Sequence, residues 1–161
     1  MKKVFSLMFA VVAMAMVSCG SKTEAAPEIT GTPYDGAKFT MTVPEGLDII
    51  FNSEDGLNAA KDGVQLDATF SDSPCKPADF EAFVTNMSGI LNNAGAKEIG
   101  KPEIEDNILT FKATYDDKIE EHFVVFLDDA AGVAGKVKYP VDKAAEFEGY
   151  AKGVAKTIAK K

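Results

Sequence analysis

The sequence has no arginine and no tryptophan, a single histidine, His122, and only two cysteines, Cys19 and Cys75. All 17 basic residues are lysines. Arginine is the usual bidentate clamp for phosphate and carboxylate, so an anionic ligand here would depend on lysines or helix N-termini. Without tryptophan a frequent binding anchor is missing, which argues against a sugar-stacking site. With one histidine, every scheme that uses imidazole as a base must use His122. No Gly-rich phosphate loop follows a strand, and neither H-E-x-x-H nor G-x-S-x-G occurs. Positive charge is also scarce: 25 acidic residues against 17 lysines give a net charge of −8. Nucleic acid is excluded as a partner, because its binders need a basic face to displace counterions. An acidic domain likewise gains nothing from lying on an anionic lipid surface.

No apolar run reaches the roughly 20 residues needed to cross a bilayer. The longest, Val4–Val17, has 14 residues interrupted only by Ser6 and follows Lys2 and Lys3. That layout is a secretory signal peptide. It ends in Ala15-Met16-Val17-Ser18-Cys19-Gly20, which resembles the lipobox of bacterial lipoproteins, with Met16 where that family usually has leucine. The resemblance implies cleavage before Cys19, lipidation of Cys19 and membrane attachment through that lipid. Several acyl chains hold stably where one holds marginally. Gly20 rather than aspartate after the cysteine implies, by the same resemblance, the outer membrane, on its periplasmic face or at the surface. Residues 1–18 are then the signal peptide. Residues 19–36, small, polar and without apolar period, read as the lipidated cysteine and a flexible tether. Residues 37–161 read as one α+β domain, large enough for a hydrophobic core.

Apolar alternation predicts strands at Lys38–Val43, Leu47–Phe51 and Val64–Ser71. From Pro77 to Ala94 the period changes: Phe80, Phe83, Val84, Met87 and Leu91 form a helical stripe. Pro77 suits the first turn, and Gly95 the left-handed position beyond the end. Four more strands are expected at Lys97–Ile104, Ile108–Tyr115, Ile119–Leu127 and Gly132–Tyr139, separated by Asp106-Asn107, Asp116-Asp117 and Asp128-Asp129 turns. The run Phe123–Leu127 is apolar on both faces, so its strand is central. A last helix begins near Asp142, with Gly149 and Gly153 allowing close packing. The order predicts a mainly antiparallel sheet with a helix on each face.

This order, with the opening Phe39-Thr40-Met41-Thr42-Val43-Pro44-Glu45-Gly46, resembles the PsbP-like fold over about Lys38 to Ile158. Cystatin-like and nuclear-transport-factor-like folds are the alternatives, and both place their long helix earlier. The PsbP-like resemblance implies a non-catalytic binding or assembly factor and transfers no site residues.

Three features invite chemistry. Glu120 and His122 point to one face of a strand, as two metal ligands or a base with its orienting carboxylate would. The commoner outcome is a strand-face ion pair. Cys75, in Ser73-Pro74-Cys75-Lys76-Pro77, stands just before a helix, where a thiol can be activated. With Cys19 lipidated it has no disulfide partner. The acidic pairs at 116–117 and 128–129 lack the spacing of a calcium loop. The sequence implies no cofactor, metal or catalytic residue. It points instead to a lipid-anchored envelope protein that binds or assembles with an envelope partner. The alternative is a small enzyme or metal-dependent protein centred on His122 and Glu120, which requires a concave pocket around His122.

Overall fold

Alternation in the described part of the chain, residues 26–161 of a computed structural model, builds two antiparallel sheets. The signal peptide, Cys19 and residues 20–25 of the expected tether lie outside these residues. Strands β1 (Gly31–Asp35), β2 (Phe39–Pro44) and β11 (Ala159–Lys160) form a small sheet in the order β1-β2-β11. The large sheet has the order β3-β4-β5-β10-β9-β8-β6, with β7 also paired to β8. Its strands are β3 (Asp48–Ser53), β4 (Gly56–Lys61), β5 (Val64–Ser71), β6 (Glu98–Ile99), β7 (Glu103–Glu105), β8 (Ile108–Thr114), β9 (Lys118–Asp128) and β10 (Ala131–Pro140).

The inward residues of β2 (Phe39, Met41, Val43) and β5 (Val64, Leu66, Ala68) join Phe123, Val125, Val133, Val137 and Tyr139 in one core. Helix α3 (Tyr150–Lys156) closes that core with Ala151, Val154 and Ala155, beside Phe147 of the single turn α2 (Ala144–Phe147). On the opposite face, α1 (Phe80–Asn93) buries Phe80, Val84 and Leu91 against Leu109, Phe111, Ala113 and Val124. Strand β9 is covered on both sides, as its continuous apolar run requires. The expected α+β architecture, with a helix on each face, is therefore present, and α1 follows five strands rather than opening the chain.

Four local expectations are corrected. The tether was to extend to Gly36, but Gly31–Asp35 is a strand whose Tyr34 is buried, paired along β2 from Gly31↔Pro44 to Asp35↔Thr40. Strand β4, absent from the sequence reading, pairs β3 to β5. The strand expected over Lys97–Ile104 is split into β6 and β7 around Gly100-Lys101-Pro102, since proline cannot donate to a ladder. The last helix is broken at Gly149, whose φ of +83° no helix interior accepts. Before it, Val141–Lys143 is a 3-10 turn. Gly153 does allow close approach: a Cβ there would lie 2.6 Å from the Pro27 carbonyl oxygen and 2.8 Å from the Ile29 side chain. The chain from Pro27 to Ile29 is thus laid across α3.

Candidate functional site

Strand β9 carries two adjacent buried carboxylates on opposite faces, and each organises a different environment. Glu120 faces the α1 side. Its Oε1 accepts a 2.8 Å hydrogen bond from Lys118 Nζ, and its Oε2 a 3.3 Å bond from Lys136 Nζ. His122 Nε2 stands 3.5 Å from the same Oε2. The imidazole beside it, then the two amines, hold the Glu120 carboxyl well below the usual carboxylate range, although burial acts the other way. At that separation His122 makes no hydrogen bond, and its buried Nε2 has no other partner among the described residues. The ring instead lies flat on Phe111, with centroids 4.8 Å apart and planes 6° from parallel.

The strand spacing therefore does bring Glu120 and His122 together, as a 3.5 Å contact inside a network in which Lys118 and Lys136 bridge the carboxylate. His122 does not line either described cavity. Among the described residues no group of three or more histidine, cysteine, aspartate and glutamate side chains is placed to hold a metal ion. Cys75 packs against the α1 core, and its Sγ donates only to the neighbouring Lys76 carbonyl, at 3.8 Å. Burial, and secondarily the negative charge of Asp79, push its thiol pKa up. This is the reverse of activation. No hydrogen bond links it to His122.

Glu121 was not singled out by sequence reasoning. It accepts bonds from the Tyr139 hydroxyl at 2.7 Å, the Gly149 N–H at 2.8 Å and the Ala151 N–H at 3.1 Å. Gly149 caps α3 without a side chain, so the carboxylate supplies from another strand what an N-cap residue would supply locally. Burial, then Glu121 beside it, raise the Tyr139 pKa strongly, which keeps its hydroxyl a donor. A signal was present in the sequence: Glu121 interrupts the inward series Ile119, Phe123, Val125. Glu121 also floors a cleft of about 500 Å³, lined further by Pro27, Lys101, Glu103, Lys112 and Lys152. Two of its lysines are paired locally, Lys112 with Glu148 at 2.7 Å and Lys152 with Glu103 at 3.0 Å.

The least satisfied surface is β3. Ile49, Ile50 and Phe51 are 38, 65 and 63% exposed, and β3 is one edge of the large sheet. The register with β4 shifts between Ile49 and Phe51, so Ile50 stands opposite no residue. Such a bulge re-aims side chains, and here three successive apolar ones face outward. The other large exposed apolar residues, Ile90, Ile104 and Val141, are scattered singly along the chain and call for no special account.

No family model matches the chain, and no curated protein does. Its fold is similar to the solution structure of cyanobacterial PsbP (CyanoP) from Synechocystis sp. PCC 6803. The TM-score is 0.55 at 12% sequence identity, over 89% of this chain and 98% of that one. The likeness is one of fold: the chain is PsbP-like in architecture, as its element order and opening strand lead one to expect.

Proposed function

We propose that the chain is a lipid-anchored protein of the bacterial cell envelope, tethered through Cys19, that acts as a non-catalytic binding or assembly module. The observation that carries the binding part is the Ile49-Ile50-Phe51 edge. Contiguous exposed apolar surface is uncommon on monomeric proteins and marks interaction sites, and an unpaired edge strand is a template for another chain. The PsbP-like architecture supports the same class. The charge network around Glu120 supports a structural role for His122, since the ring is stacked rather than presented in a concavity. The anchor rests on the signal peptide and the segment from Ala15 to Gly20.

The test is a pull-down from native envelopes with the wild-type protein beside Cys19→Ala, combined with metabolic labelling by an alkyne fatty acid. Label on wild type only, and a defined partner lost from the unanchored form, is the expected result. An unlabelled wild-type protein in the soluble fraction would refute the anchor. Loss of a measurable activity or of bound metal in His122→Ala would refute the non-catalytic reading.

A further inference from the structure

We infer that β3 is a strand-acceptor site, taking an antiparallel, extended segment of a partner protein with an apolar middle and a basic N-terminal end. The inference rests on the binding reading above and specifies its surface and chemistry.

The free edges of the two sheets are not alike. Edge β1 carries Pro33, which removes a ladder donor. Edge β11 has two residues, one of them Lys160. At the far side of the large sheet, β6 has two residues, and β7 has three, two of which are glutamates. Short length, proline and charge are the devices by which edges avoid pairing. Strand β3 has six residues, Asp-Ile-Ile-Phe-Asn-Ser, without proline or lysine. Its bulge is the one irregularity, and it adds apolar exposure rather than removing it. Of the described edges, β3 alone combines usable length with an apolar outer surface, as addition of a strand from outside requires.

Charge decides between occupants. At the Ser53 end Lys38 is paired with Asp55 at 2.5 Å, while Glu54 and Asp72 act on the same amine from farther off, so three carboxylates share that lysine. At the other end Asp48 stands 3.5 Å from Lys61 and is offset by it. A second copy docked antiparallel would bring only its neutralised Asp48–Lys61 pair toward Glu54 and Asp55, and a parallel copy would put the acidic turns side by side. The first supplies no net counter-charge to the acidic turn and the second opposes like charges, in a chain already at −8. A segment of another protein with lysine or arginine beside Glu54 and Asp55 meets no such penalty. The large sheet is antiparallel at every pairing, which fixes the basic residues at the N-terminal end of the added strand.

The test uses the full protein isolated from membranes, with three synthetic peptides that share an alternating Val-Thr core. One carries two lysines at its N-terminus, one carries two glutamates there, and one has proline at its centre. Backbone hydrogen exchange of Asp48–Ser53 is the readout. The lysine peptide is expected to slow the outward amides about tenfold or more at saturation, and the other two to leave them unchanged. The effect is expected to vanish in Ile50→Lys/Phe51→Lys, whose substitutions fall on exposed side chains, and to weaken in Glu54→Lys/Asp72→Lys. Equal protection by lysine and glutamate peptides, or none by either, overturns the inference. A native-envelope pull-down with Ile50→Lys/Phe51→Lys separates this failure from that of the parent reading. A partner retained equally by wild type and variant overturns the β3 site while binding stands; no partner with either overturns binding itself.

Discussion

Replacing Glu121 tests whether one carboxylate holds the broken C-terminal helix in place. In Glu121→Ala three donors lose their acceptor: the Tyr139 hydroxyl, the Gly149 N–H and the Ala151 N–H. They are not equivalent. Gly149 is only half-buried and its bond to Glu121 only partly so, so water can satisfy its N–H. Tyr139 is fully buried and Ala151 nearly so, and each unsatisfied buried donor costs about 1–2 kcal/mol. The expected loss from these two donors, the Ala151 bond being itself the cap, is therefore about 2–4 kcal/mol, read by equilibrium urea unfolding with an unchanged m-value. Glu121→Gln keeps one carbonyl acceptor but turns an NH2 toward a donor, for an expected cost of about 1–2 kcal/mol. Tyr139→Phe leaves the carboxylate its two backbone partners and is expected to cost about 1 kcal/mol. A loss below about 1 kcal/mol in Glu121→Ala, or equal losses in the Ala and Gln variants, would refute the assignment of Glu121 as the cap of α3.

Gly153→Ala is expected to destabilise by about 1–3 kcal/mol and to speed amide exchange of residues 28–30, because the new Cβ meets the Pro27 carbonyl. Gly89→Ala, with nothing within 4 Å of its added methyl, is expected to stabilise by about 0.5–1 kcal/mol, which thermal denaturation of both variants will compare. The depressed Glu120 pKa contributes stability that is present above the unfolded carboxylate value and is lost as pH falls through the folded one. The stability gap between wild type and Glu120→Gln should therefore be constant near neutrality and shrink below about pH 4, as urea titrations across pH will measure. Cys75, its thiol held up by burial, should react with iodoacetamide more slowly in the folded protein than in urea, and an equal or faster folded rate would contradict the structure.

Alternation and helical period made β2, β5, α1 and the meander from β8 to β10 legible, because each buries one side of a regular pattern. The missed elements bury too little to leave one. In β1, Gly-Thr-Pro-Tyr-Asp has turn composition and a single buried side chain, Tyr34. Its strand form comes from pairing with β2, a partner that no local pattern reveals. Strand β4, Gly-Leu-Asn-Ala-Ala-Lys, has alanines where larger side chains would have marked its inner face. The break at Gly149 is set from a distance by Glu121. Neighbouring strand positions were enough to place Glu120 against His122, but not to foresee that stacking on Phe111 would take the imidazole out of any pocket.

The Pro27–Ile29 segment across α3 would have a consequence for how the protein sits at a membrane if Cys19 carries the proposed lipid. On the lipid-anchored reading, only residues 19–25 separate the bilayer from chain that is already docked. Seven residues reach at most about 25 Å when fully stretched. The attachment point would then be a fixed spot beside α3, where Pro27 and Ile29 meet Gly153, rather than a loose end. On that reading such a mooring would confine the domain to a thin layer above the lipid and hold a bound partner there at high effective concentration. Adding residues between Cys19 and Ala26 would loosen the mooring without touching the fold, so leash length is a property the sequence can vary independently of binding.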